Sequence, residues 1–120
     1  MKKILLLNMI LSLYAFSAPV EHGKASYYST NCNGGTKTAS GQKLQNSGMT
    51  AAHKTLPMGT QVKITNLKNG KSEIVKINDR GPYVRGRIID VTIGVADKLG
   101  FKKSGITDVK LEVVGKVKIK

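Results

Sequence analysis

Gln61 to Asn66 alternates, with Val62 and Ile64 on one side and Lys63 and Thr65 on the other. That two-residue period is the mark of a half-buried strand. Leu67-Lys68-Asn69-Gly70-Lys71 follows, and Asn-Gly between alternating runs is the strongest short hairpin signal. Ser72 to Asn78 then returns as the second strand, with Ile74, Val75 and Ile77 apolar. Arg87 to Ile93 predicts another clear strand, and Lys24 to Tyr28 an earlier one. Gly94 to Leu99 predicts a short helix stopped by Gly100. Lys110 to Val114 and Lys116 to Ile119 close the chain as strand material, with Val113, Val114 and Val117 as packing positions. Between the first strand and the hairpin, Ser29 to Ser47 is rich in Gly, Ser, Thr and Asn and reads as a loop. A loop of that length in a small domain is commonly functional. Short strands at close spacing with glycine turns predict a mainly β domain, a small barrel or a sandwich.

The N-terminus follows a different pattern. Lys2 and Lys3 precede an apolar run from Ile4 through Phe16, and Ala15-Phe16-Ser17 offers small residues where a signal peptidase reads. Residues 1–17 are therefore expected to be a secretory signal peptide, leaving residues 18–120 as one domain with one modest core. The run is shorter than the roughly 20 residues of a spanning helix, and no second apolar stretch follows. A periplasmic or secreted protein with no integral membrane segment is expected, and a monomer. No cysteine lies near the cut, so lipid attachment is not expected. Cys32 is the only cysteine and cannot close a loop by itself, so the fold stands on packing.

Charge narrows the partners. The chain carries 20 Lys+Arg against 7 Asp+Glu, a formal charge of +13; loss of Lys2 and Lys3 would bring it to +11. Such a charge steers polyanions, which outside the cytoplasm means wall polymers, anionic lipid surfaces or acidic polysaccharides. Aromatics make up only 5% of the chain, with no Trp, a poor supply for stacking nucleic-acid bases. Nucleic acid is not an expected partner.

Three residues stand out by setting. His53 lies between small residues and a Pro57-Met58-Gly59 turn, where a ligand can approach closely. Asp79 ends the second hairpin strand, and its neighbour Arg80 offers a cation that favours a charged carboxylate. Asp90 lies within Arg87-Ile88-Ile89-Asp90-Val91-Thr92. If Ile89 and Val91 fill a core, Asp90 points outward among partly apolar neighbours, a setting that suits a general acid. Each has a plain structural reading as well. Asp before Arg-Gly-Pro is a common turn device, a strand Asp can cap a loop, and a single His often only packs or hydrogen-bonds.

The surrounding strings are more specific than the single residues. GKASYYS, TASGQ, GMTAAHKTLPMGTQVKITNLKNGKS, VKINDRGPYVRGRIIDVT and ADKLGF resemble the rare lipoprotein A family from about Gly23 to Val114. The resemblance implies a six-stranded double-psi β-barrel with one or two short helices, and a lytic transglycosylase acting on peptidoglycan in cell-wall remodelling or daughter-cell separation. Such an enzyme cuts the MurNAc–GlcNAc bond with the MurNAc C6 hydroxyl and leaves 1,6-anhydro ends. Because the substrate supplies the nucleophile, one carboxyl can serve as acid and then base. Asp90 and Asp79 are the candidates for that role, with His53 hydrogen-bonding the substrate or tuning the carboxyl. Tyr27, Gln42, Arg80 and Arg87 are expected to bind glycan; no metal and no cofactor are expected.

Three departures from the family pattern matter. Gln42 stands where its enzymes commonly carry Glu, and Gln cannot titrate. Tyr27 stands where Trp is common. Neither a lipid-attachment cysteine nor a C-terminal peptidoglycan-binding domain is expected. Gln42 keeps open a non-catalytic, expansin-like glycan-binding module; an inhibitor or partner-binding barrel is a third reading.

Overall fold

A computed structural model of the chain describes residues 20–28, 38–41 and 47–116. The signal-peptide region, Cys32, Gln42 and Val117 lie outside the described residues. Among the described residues, six strands and one helix follow in order: β1 Val20–Tyr28, β2 Thr50–Ala52, β3 Thr60–Asn66, β4 Ser72–Asp79, β5 Arg87–Thr92, α1 Ile93–Leu99 and β6 Ile106–Lys116. The strands close into a barrel in the order β1-β5-β2-β4-β3-β6. Two pairs are parallel, β1 with β5 and β2 with β4. The remaining neighbours are antiparallel. This is the mixed six-stranded barrel that the resemblance implies.

The alternation along each strand fills the barrel. Val62, Ile64, Val75, Ile77, Ile89, Val91, Val109 and Leu111 are buried, each on the inward side of a strand whose next residue turns outward. The hairpin forms as the Asn-Gly signal predicts: Asn69 and Gly70 turn between β3 and β4, Gly70 takes φ +79°, and Gln61 through Thr65 pair with Lys76 through Ser72. Asn66 ties the turn to the far end of the barrel. Its Nδ2 donates to the Leu99 carbonyl at 2.8 Å, and its Oδ1 accepts from Thr107 Oγ1 at 2.9 Å and from Lys68 N at 3.0 Å.

Helix α1 has both ends defined by side-chain and backbone caps. Thr92 Oγ1 accepts from Val95 N and donates to the Gly48 carbonyl at 2.6 Å, so one hydroxyl caps the helix and anchors the segment leading into β2. Gly100 ends it with φ +81°, a conformation that glycine adopts without a Cβ penalty. Val95, Ala96 and Leu99 are its buried face.

Three expectations are corrected. β1 starts at Val20 rather than Lys24, because residues 20–26 pair with β6 before the parallel pairing with β5 is complete. Residues 117–119 of the last expected strand lie outside the described residues, and the expected strand Lys110–Val114 is part of a longer strand, β6, which begins at Ile106 and runs to Lys116. Its inward positions are Thr107, Val109 and Leu111, whereas Val114 is 49% exposed. β2, three residues long, was hidden in the segment that leads to His53.

Candidate active site

One row of residues runs across four strands. Ser26 of β1 pairs with Asp90 of β5, Asp90 with Ala52 of β2, and Ala52 with Asp79 of β4. The row lies outside the core because its inward neighbours, Ala25, Ala51, Ile77, Ile89 and Val91, are buried. Asp79 enters it through a β-bulge. Ala51 pairs with Ile77 and Ala52 with Asp79, so Asn78 is the extra residue on β4. A bulge re-aims the side chains beyond it; in regular pairing Asn78 would oppose Ala52. The two aspartates are thus two strands apart, about 10 Å between Cα atoms at a strand spacing of about 4.8 Å. Only the methyl group of Ala52 stands between them in the row.

The two carboxyl groups are held differently. Asp90 accepts a hydrogen bond from Ser26 Oγ. Asp79 accepts with Oδ1 from the Ala39 and Arg80 backbone N–H groups, both at 2.8 Å. The first bond fastens the Thr38–Gly41 segment over the end of β4, helped by Ser40 N donating to the Asn78 carbonyl at 3.1 Å. Gln42 is the next residue along.

Arg80 does not pair with Asp79, contrary to expectation. Its guanidinium Nη1 donates instead to the carbonyls of Leu56, at 2.7 Å, and His53, at 3.2 Å. It braces the loop between β2 and β3. His53 braces the same loop from the other side. Its Nδ1 accepts from the Thr55 and Leu56 N–H groups at 3.1 Å, so the proton belongs on Nε2, which lies 2.8 Å from Glu21 Oε1. The imidazole is buried and both ring nitrogens are engaged. A substrate atom would have to displace Glu21 to reach it.

The sequence-predicted residues divide accordingly. Asp79 and Asp90 share the row, and His53 and Arg80 lie at its β4 end as loop braces. A second bulge, at Ile88, sets Arg87 opposite Lys24, on the same side of the sheet as Ser26 and Asp90. Tyr27 is not brought to this side. It alternates with Ser26 and Tyr28, packs against the core and Phe101 with ring centroids 6.2 Å apart, and donates its hydroxyl to the Lys102 carbonyl at 3.0 Å. Ser26 and Glu21 were missed in the sequence. Ser26 had a usable signal, its fixed two-residue offset from Tyr28 in a strand; Glu21 had none, because its strand was expected to start later. Among the described residues no cluster of three or more His, Cys, Asp or Glu is placed to hold a metal, and no helix is long and apolar enough to cross a membrane.

Two surface hollows, of about 480 and 440 Å³, lie elsewhere. One is lined by residues including His22, Lys68 and Asp108, the other by Tyr27, Asp97, Gly100, Lys102 and Lys103. Neither is lined by Asp79 or Asp90. The row lies on the outer side of the barrel wall with Ser26 and Ala52 buried and the two aspartates half-buried.

Barrel, pairing pattern and site together define a double-psi β-barrel protein. The chain belongs to the lytic transglycolase family, whose model matches residues 20–111. It is 46% identical over 95 residues to a Synechocystis protein named a probable endolytic peptidoglycan transglycosylase, RlpA, covering 79% of this chain and 29% of that one. A Pseudomonas aeruginosa protein named endolytic peptidoglycan transglycosylase RlpA is 48% identical over 95 residues, covering 79% of this chain and 28% of that one. The chain therefore spans under a third of the length of these relatives. Among solved structures, the Streptomyces papain inhibitor superposes with a TM-score of 0.64 at 21% identity, covering 81% of this chain and 96% of that one. That likeness concerns the fold.

Proposed function

We propose that this chain is a lytic transglycosylase that cleaves peptidoglycan glycan strands, and that it works in the periplasm or outside the cell. The observation that carries the reading is the Ser26–Asp90–Ala52–Asp79 row: two half-buried carboxyl groups on one side of the barrel wall, brought into line by a bulge. Family membership and the names of the relatives supply the substrate class.

In the proposed reaction a protonated carboxyl gives its proton to the glycosidic oxygen as the bond from that oxygen to C1 of MurNAc breaks. The C6 hydroxyl oxygen of the same MurNAc bonds to C1, and its proton passes to the carboxylate. The products are a free GlcNAc 4-hydroxyl end and a 1,6-anhydroMurNAc end, and the carboxyl is restored. No water is consumed, so the second carboxylate need not activate one, unlike in hydrolases. The basic charge of the chain would hold it near an anionic wall.

The test is a digest of purified, peptide-free glycan strands read by mass spectrometry. Anhydro-ended fragments released by the wild type and absent with Asp90→Asn support the reading. Glycan that sediments with the protein without gaining new ends sinks it in favour of a binding module.

A further inference from the structure

Tyr28 follows Tyr27 by one residue and lies on the opposite side of the sheet. Strand alternation puts it beside Ser26 on the outward side, paired with Thr92 of β5. Its hydroxyl oxygen is buried and has no hydrogen-bond partner. Thr50 stands close to it but short of full hydrogen-bond geometry. Burial first, and then the negative charges of Asp79 and Asp90, push the phenol up to about 12. Tyr28 therefore keeps its proton, and both carboxyl groups of the row lie near enough to act on it.

A buried hydroxyl without a partner is unusual, since most such groups find one, and phenylalanine would fill the same space without the cost. Each carboxyl has acceptor capacity to spare beyond Ser26 Oγ and the two backbone N–H groups. A donor that gains its acceptor only when charge develops adds to rate rather than to ground-state binding.

We propose that Tyr28 is a positioning residue of the active site, a hydrogen-bond donor held for the carboxyl that becomes anionic when it protonates the glycosidic oxygen. The proposal rests on the transglycosylase reading above. Tyr28 acts through the carboxyl and moves no proton itself.

Tyr28→Phe keeps the ring and removes only the oxygen. Its unfolding midpoint is expected to equal or exceed that of the wild type, while kcat on peptide-free glycan strands falls at least tenfold with KM unchanged. Loss of one preorganised donor typically costs about 10²–10³-fold. A donor to the charged carboxyl favours that form, so without it the limb of the pH–rate profile set by that carboxyl moves to higher pH. A second readout needs no turnover: in ultraviolet titration, the tyrosine absent from Tyr28→Phe ionises at lower pH in Asp79→Asn and in Asp90→Asn than in the wild type.

An active wild type with a fully active Tyr28→Phe overturns the proposal. So does a loss of kcat without movement of the pH limb, which would mean contact with substrate instead. A Tyr28 titration indifferent to both aspartate substitutions also overturns it. A wild type that makes no anhydro ends fails differently, because it removes the transglycosylase reading and the proposal with it.

Discussion

Asp79 has two jobs that substitution can separate. Its Oδ1 takes the Ala39 and Arg80 N–H groups, each at 2.8 Å, and so holds the Thr38–Gly41 segment against the barrel. Its carboxyl charge and proton are a separate property. Asp79→Ala removes both; Asp79→Asn keeps an oxygen for the two N–H donors and removes only the titrating group. Hydrogen bonds to a charged acceptor contribute about 1.5–3 kcal/mol each, and neutral ones about 0.5–1.5 kcal/mol. One of the two bonds is solvent-exposed, so the low end applies, giving about 3 kcal/mol lost in Ala and about 1–2 kcal/mol in Asn. At about 4–8 °C per kcal/mol for a domain of this size, Ala should melt roughly 12–24 °C lower and Asn roughly 4–16 °C lower. Circular dichroism melting measures this, and hydrogen exchange at the Ala39 amide reports the segment directly, fast in Ala and protected in Asn. In the glycan digest both variants should lose anhydro-ended products. Equal melting losses in Ala and Asn would refute the acceptor argument, and an active Asp79→Asn would reduce Asp79 to a structural cap.

Further outcomes follow from the same geometry. Ser26→Ala removes the hydroxyl that bonds Asp90 and should lower kcat at least tenfold, with a stability loss near the 1 kcal/mol of an ordinary hydrogen bond; unchanged kcat would remove Ser26 from the site. Gln42→Glu supplies the titrating group that family enzymes commonly have there and should raise turnover, within the roughly 10²–10⁴-fold range of a positioned acid or base; no gain in the digest would show that the site does without it. Lys24 hydrogen-bonds Asp108 at 2.9 Å and, by that bond and its charge, holds the carboxyl below its usual range. A lowered folded-state value means stabilisation present at neutral pH and lost as pH falls through it. Melting of wild type and Asp108→Asn should thus differ slightly at pH 7, less in high salt, and converge in acid once the carboxyl is protonated in both folded and unfolded chains; a gap that persists in strong acid would refute the pairing.

The hairpin was legible because two signals agree there: the alternation from Gln61 to Asn78 and the Asn-Gly turn. Asp79 and Asp90 were legible as candidates because each follows or interrupts such an alternation. β2 was not, since three residues, Thr50 to Ala52, are too few to display a period. β6 was expected to start too late because its inward positions begin with Thr107, a polar residue buried by hydrogen-bonding Asn66, which a search for apolar alternation passes over. The alignment of Asp79 with Asp90 was out of reach for a different reason. It depends on the extra residue Asn78, and a bulge is decided by pairing across strands rather than along one. Tyr27 and Tyr28 show how much one residue of parity decides, because adjacent identical side chains fall on opposite sides of the sheet.

That parity bears on which aspartate carries the proton. Asp79 accepts two N–H donors with a single oxygen, and backbone N–H groups can only donate, so any proton on this carboxyl would sit on its other oxygen, Oδ2. Ser26 is different, because a hydroxyl both donates and accepts. It can give its hydrogen to Asp90 when the carboxyl is charged, or turn and accept one when the carboxyl is protonated, without breaking the contact. Asp90 can therefore pass between acid and base with its partner in place, which is what a single carboxyl serving both half-steps requires. Asp79 holds the Thr38–Gly41 segment, which leads to Gln42. The bulge at Asn78 brings Asp79 into line with Asp90, and Tyr28, whose phenol feels the charges of both, lies where a donor can answer a change in either.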